Sequence, residues 1–170
     1  MDGDNPSVAY KGFELDPFQR RAIAALESGR SVIVCAPTGA GKTLIAEYAI
    51  EKSIRDGRRL IYTAPIKALN NQKFRDFGAM YPGRIGIKTG DVSMNVDAPI
   101  LLMTTEIFRN MIFEDPERLA DVDYAILDEI HFLDDIERGT VWEECIIFAP
   151  PNIRVLALSA TVPNADRVAE

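Results

Sequence analysis

Short apolar runs alternate along this chain with longer amphipathic segments, and that alternation constrains the fold more than any single residue does. Residues 31–36, 60–64, 84–88, 100–104, 124–128 and 154–159 read as strands. Val32-Ile33-Val34-Cys35 and Ala125-Ile126-Leu127 are apolar at successive positions, as strands covered on both faces of a parallel sheet must be. Helices are predicted over 16–28, 41–56, 66–80, 106–113 and 141–148, with a shorter one over 116–121. Leu44/Tyr48 and Ile50/Ile54 at i, i+4 support the second of these, and Gly57 is placed to stop it. The alternation predicts a doubly wound α/β domain, a mainly parallel sheet with helices on both faces. Ligands of such sheets bind at the carboxyl ends of the strands.

A chain of 170 residues suits one domain with a full-sized core. No segment approaches the ~20 apolar residues of a membrane span, and Met1-Asp2-Gly3-Asp4 lacks the basic and apolar regions of a signal peptide. Cys35 and Cys145 lie in apolar runs without metal-ligand spacing, and are expected to be buried thiols of a reducing compartment, cytoplasmic or nuclear. The net charge of −7 counts against a nucleic-acid protein by whole-domain electrostatics. It counts less where binding uses backbone amides and a few placed cations. Residues 1–12 are expected as a loose N-terminal end and 13–170 as the folded domain.

The chemistry-bearing segments all follow predicted strands, which gathers them at one face. Ala36-Pro37-Thr38-Gly39-Ala40-Gly41-Lys42-Thr43 departs from the G-x-x-x-x-G-K-[ST] phosphate-loop pattern only in having Ala36 for the first glycine. The amides of Pro37–Thr43 neighbours (Thr38, Gly39, Ala40 and Gly41), at the positive end of the following helix, can form an anion nest. Lys42 would reach the β and γ phosphates of a nucleotide and the Thr43 hydroxyl would ligate Mg²⁺. Asp128 closes the next informative strand, where its carboxylate can face that ion through a water, and Glu129 is the candidate base that polarises the attacking water. Upstream, Asp16 and Pro17 suit a helix start. Gln19 there has an amide able to pair with the N6/N7 edge of adenine, and Phe13 or Phe18 could pack on the base. Taken singly, the loop could be a glycine-rich turn, the Asp-Glu pair a solvated helix start and Gln19 a surface residue.

In this order the blocks resemble the first RecA-like domain of superfamily 2 helicases of the DExH-box group, over about residues 13–162. Asp16–Gln19 is similar to the Q motif, Ala36–Thr43 to motif I, Asp128-Glu129-Ile130-His131 to motif II and Ser159-Ala160-Thr161 to motif III. Thr63-Ala64-Pro65-Ile66-Lys67-Ala68-Leu69-Asn70-Asn71-Gln72-Lys73, Thr89-Gly90-Asp91, Thr104-Thr105-Glu106-Ile107-Phe108-Arg109-Asn110-Met111 and Glu137-Arg138-Gly139-Thr140-Val141-Trp142-Glu143-Glu144 resemble the exosome-assisting Ski-two-like RNA helicases. Archaeal repair helicases that act on DNA share the DEIH block, but their segment after the second strand looks less like Pro65–Lys73. The resemblance therefore implies an ATP-binding, RecA-like half of an RNA helicase motor that uses ATP and Mg²⁺. Its implied partner is single-stranded nucleic acid, RNA ahead of DNA, within RNA-decay machinery.

The same resemblance implies that Pro65, Ile66, Lys67, Gly90, Asp91, Thr104, Thr105 and Arg109 touch the sugar-phosphate backbone of one strand. Helix-start amides, hydroxyls and cations suit that role without reading sequence, although Thr104-Thr105 could simply cap a helix. It gives His131, Ser159 and Thr161 the task of coupling the nucleotide to a partner domain, while Trp142 is expected to be packing. Such motors need a second RecA-like domain with an arginine finger, worth ~10³–10⁵ in rate, and the sequence shows no motif for one. Alone, these residues are expected to hydrolyse weakly or not at all. A phosphate-loop switch or kinase, or a silent nucleotide-binding module, are the other classes; the Ser159-Ala160-Thr161 and Pro65–Lys73 blocks speak against the first of them.

Overall fold

The computed structural model describes residues 9–37, 39–130 and 139–160. Its centre is a seven-stranded sheet in the order β3-β9-β8-β4-β7-β5-β6. The strands are β3 (Val32–Cys35), β4 (Arg59–Ala64), β5 (Ile85–Lys88), β6 (Ser93–Met94), β7 (Ile100–Thr104), β8 (Val122–Leu127) and β9 (Arg154–Ser159). All pairings are parallel except β5 with β6. Helices α2 (Lys42–Arg55), α3 (Lys67–Met80), α4 (Thr105–Glu114) and α5 (Gly139–Phe148) follow β3, β4, β7 and β8 respectively, and α1 (Pro17–Glu27) lies ahead of β3.

Strand alternation divides the core in two. On β4, Leu60, Tyr62 and Ala64 pack with Ile45, Ala46, Ala49 and Ile50 of α2, Leu26 of α1 and Phe77 of α3. The intervening Ile61 joins Leu101 and Met103 against Phe108 and Ile112 of α4 and Cys145 of α5. Successive strand residues thus serve opposite faces, so both must be apolar, and this is the doubly wound arrangement the sequence predicts. On β8 the same alternation sends Tyr124 and Ile126 to the α2 side. Asp128, two further on, continues that row just past the strand's end.

The helix ends follow local chemistry. Thr104 caps α4, its Oγ1 accepting from the Ile107 amide at 3.4 Å. Gly57, at φ +67°, ends α2. The segment expected as a short helix over 116–121 is one 3₁₀ turn, Pro116–Leu119. β5 falls within the strand predicted over 84–88, but β6 and the hairpin the two form are not foreseen by the sequence. The hairpin depends on Gly86, where a Cβ would lie 2.0 Å from the Asn95 carbonyl oxygen.

Cys35 corrects an expectation: it is exposed, whereas Cys145 is buried and burial pushes its thiol up to about 12. β3 pairs only with β9, so an edge strand that reads as fully buried leaves Ile33 and Cys35 open. The chain ahead of residue 13 is also tied down from Ala9 onward. Strands β1 (Ala9–Tyr10) and β2 (Phe13–Glu14) pair antiparallel. Tyr10 donates to Glu51, and Lys11 reaches Glu47 at 3.1 Å and Glu51 at 2.9 Å. Burial opposes the Lys11 charge, but the bonds from Glu51, Tyr81 and Glu47 outweigh it and hold its pKa above the ordinary lysine range.

Candidate functional site

The carboxyl ends of β3, β9 and β8 meet the start of α2, and most of the predicted nucleotide residues lie there. Gly39 and Gly41 hold φ of +83° and +93°, backbone that a side chain would strain. Gly41 is also crowded: a Cβ there would sit 2.5 Å from Gln19 Nε2. Gln19 is only 5% exposed. Its Nε2 donates to the Gly41 carbonyl at 3.0 Å and its Oε1 accepts from the Asp16 amide at 2.8 Å. The residue predicted to read a base therefore braces the loop against α1. Phe13, on β2, is 66% exposed.

Lys42 Nζ bends back to donate to the Ala36 carbonyl at 2.6 Å and the Ser159 carbonyl at 2.9 Å. The Ala36 amide donates to the same Ser159 carbonyl at 3.1 Å, so strand β9 and the phosphate loop are stitched at one atom. Ser159 itself is buried and its hydroxyl donates to the Ala160 carbonyl at 2.9 Å. Thr43 is exposed in the first turn of α2, as are Pro37 and Gly39 of the loop, while Ala40 is half-buried.

Asp128 is 9% exposed. Its amide donates to the Thr63 carbonyl at 2.9 Å, one oxygen accepts from the Glu129 amide at 2.9 Å, and the other accepts from the Tyr62 hydroxyl. Burial first, and then the Asp128 charge, push the Tyr62 phenol well above its ordinary pKa, so it is a proton donor at any physiological pH. Glu129 has φ +56°, left-handed backbone that non-glycine residues rarely adopt. The Asp128 and Glu129 side chains thereby leave the strict alternation of a strand. A glycine nest, a cation, an exposed hydroxyl and an oriented carboxylate form a donor set that fits a magnesium-bound nucleoside triphosphate. Thr38, His131 and Thr161 lie outside the described residues.

A second group lies at the ends of β4, β5 and β7. Pro65, Ile66, Lys67, Gly90, Thr104, Glu106 and Ile107 line a cleft of about 330 Å³. Three segments separate in sequence thus converge, and two helices, α3 and α4, start at its rim. Lys67 pairs with Asp91 at 2.5 Å, and that contact holds the Asp91 carboxyl below its usual range. Thr105 is buried, and Arg109 is not among the residues lining the cleft, being paired with Glu144 and stacked 5.4 Å from the Phe113 ring. Behind the cleft Asn70 is buried, its Nδ2 donating to the Ala64 and Ile66 carbonyls at 3.1 and 3.2 Å. Sequence reading missed both Tyr62 and Asn70. Tyr62's only signal is a polar group inside a run otherwise destined for the core, which must find a partner, whereas Asn70 sits in the Thr63–Lys73 block with no role assigned to it.

Residues 16–168 match the family described as DEAD/DEAH box helicase. The probable helicase HelY of Mycobacterium tuberculosis is 52% identical over 91% of this chain, which spans 17% of that protein. The ATP-dependent RNA helicase mtr4 of Schizosaccharomyces pombe is 52% identical over 97% of the chain, or 15% of the relative. The antiviral helicase SKI2 of Saccharomyces cerevisiae is 51% identical over 94%, or 12% of the relative. This chain therefore corresponds to less than a fifth of the length of these relatives. Among solved structures, a DUF1998 helicase MrfA bound to DNA superposes with TM-score 0.74 at 19% identity, covering 96% of this chain and 27% of that one. The UvsW helicase of bacteriophage T4 gives 0.65 at 20% identity, covering 89% and 54%. At those identities the likeness carries the fold, a RecA-like α/β sheet. No helix among the described residues is long and apolar enough to cross a membrane. By its family match and its half-identical relatives, the chain belongs to the DEAD/DEAH box helicases, in their Ski-two-like group.

Proposed function

We propose that this chain is the ATP-binding first RecA-like domain of an RNA helicase motor. With a second RecA-like domain it would couple ATP hydrolysis to movement along RNA or to its unwinding. The observation that carries this reading is the stitching of Lys42 to both Ala36 and Ser159 beside the oriented carboxylate of Asp128, next to a separate strand-end cleft on the same face of the sheet.

In this reading the phosphates seat on the amides of Thr38, Gly39, Ala40 and Gly41, with Pro37 shaping the turn. Lys42 exchanges its two carbonyl partners for phosphate oxygens, which are stronger, charged acceptors. Bound magnesium would neutralise charge developing on the phosphates. Thr43 and Asp128 would hold it, Asp128 through a water, and Glu129 would orient and polarise the attacking water. Phe13 would face the base, and Gln19 would have to release part of its bonding to the Gly41 carbonyl or the Asp16 amide to reach it. His131, Ser159 and Thr161 would pass the state of the site to the second domain, and Ser159 is well placed because its carbonyl already holds Lys42.

The cleft would take the backbone of one strand of nucleic acid. Pro65, Ile66, Lys67, Gly90, Asp91, Thr104 and Thr105 would contribute amides, hydroxyls and one cation. Arg109 would have to leave Glu144 to join them. RNA is favoured because relatives such as mtr4 carry that activity in their names; the RNA-decay setting is proposed from the motif resemblance to the exosome-assisting group, and a cytoplasmic or nuclear location from the cysteine usage. Competition between single-stranded RNA and DNA of one sequence, with a non-hydrolysable ATP analogue present, tests the substrate. RNA should win, and a preference for DNA would move the reading to a repair helicase. An ATPase assay with RNA tests the need for the second domain. Slow turnover by these 170 residues is expected, and robust RNA-stimulated turnover would overturn it.

A further inference from the structure

We infer that Tyr62 is a positioning residue for the magnesium-binding carboxylate of Asp128, acting through the hydroxyl it directs from the neighbouring strand. The inference rests on the nucleotide reading above and assigns one more residue to that site.

Three features support a role for the hydroxyl beyond filling space. Tyr62 is 1% exposed in the row Leu60, Tyr62, Ala64 that packs on α2 and α3. Its ring meets Phe77 edge-on at 5.3 Å, a contact that a phenylalanine would make as well. A phenol hydroxyl at that depth is costly unless it is paired, and its partner is the Asp128 carboxylate. The register makes the meeting geometric: Tyr62 lies opposite Ile126, so Asp128 is its diagonal neighbour on the same face of the sheet.

The second carboxylate oxygen accepts from the Glu129 amide at 2.9 Å, which the left-handed backbone of Glu129 brings round. Both oxygens are therefore fixed before any ion arrives. Groups that orient a ligating carboxylate in this way typically change metal affinity about 10–100-fold when removed. A carboxylate free to rotate would lose that preorganisation, and the loss would appear only in binding that depends on the ion.

The test is Tyr62→Phe in the 170-residue chain, with ADP binding titrated by calorimetry in Mg²⁺ and again in EDTA. Wild-type ADP binding should be tighter in Mg²⁺ than in EDTA; if it is not, the nucleotide reading itself fails. Granted that difference, the variant should bind ADP about tenfold more weakly in Mg²⁺ and with unchanged affinity in EDTA. Added to Asp128→Asn, it should have no further effect. Equal losses in both buffers, no loss in Mg²⁺, or an effect that persists without the Asp128 carboxylate would each overturn the inference and leave the nucleotide reading standing. Failure of Tyr62→Phe to fold, read by circular dichroism, would also overturn it, because the hydroxyl would then be structural.

Discussion

The two ends of this sheet edge are built in opposite ways. At the nucleotide end the decisive groups are buried: Gln19, Asp128, Ser159 and Tyr62 are fixed by side-chain bonds to backbone or to one another. At the cleft between β4, β5 and β7 the corresponding groups Ile66, Lys67, Gly90, Asp91 and Glu106 are exposed, with Thr89, Thr105 and Asn70 buried behind them. A site that must place one phosphate and one ion to within a fraction of an ångström benefits from preorganisation. A track that a polymer slides through needs weak, repeated contacts to the backbone, and helix-start amides supply these without many cations. On the proposed reading, this is how an acidic domain of net charge −7 would carry a nucleic-acid surface.

If the contrast is right, substitutions at the buried end should have large and specific effects, and those at the open end small and salt-dependent ones. Gly41→Ala should have the largest. It places a side chain at φ +93° and against Gln19 Nε2, costing about 1–3 kcal/mol of stability and lowering nucleotide affinity more than tenfold by the usual cost of a misplaced loop. Thermal denaturation and calorimetry read both. Unimpaired binding would show that the loop is not braced as described. Asp128→Asn comes next: ADP affinity in Mg²⁺ should fall towards its value in EDTA, whereas affinity in EDTA stays put.

At the cleft, Lys67→Ala should weaken binding of single-stranded RNA only a few-fold. It should do so equally for different sequences and reduce the salt slope by about 0.7, the signature of one phosphate contact. Nucleotide affinity should not move; a parallel loss would erase the distinction between the two ends. The smallest effect is expected from Asp91→Asn. Removing the partner that holds Lys67 at 2.5 Å frees the cation and should tighten RNA about twofold, as suits an exposed ion pair. Weaker RNA binding would instead assign Asp91 a contact of its own.

Much of the fold is legible because strand alternation needs only apolarity at adjacent positions. β7 and β9 fall at the expected residues, and α2 and α3 start one residue later than predicted. What escapes has physical causes. The β5–β6 hairpin is two residues long on its far side and rests on one close approach at Gly86. Cys35 reads as core because edge and central strands have the same local sequence. Residues 9–12 look unstructured until Tyr10 and Lys11 find α2 far along the chain. At the site, Lys42 and Asp128 announce themselves by motif. Tyr62 does not, since a tyrosine in an apolar strand says nothing of which carboxylate will lie beside it. Gln19 is legible as a motif residue, yet its bond to the Gly41 carbonyl is visible only in three dimensions.

Calorimetric titration of ADP with Mg²⁺ into the wild-type chain and into Lys42→Ala tests the central claim most directly. Saturable binding by the wild-type chain that disappears in the variant is the predicted result; unchanged affinity in Lys42→Ala would contradict the phosphate site on which the whole account stands.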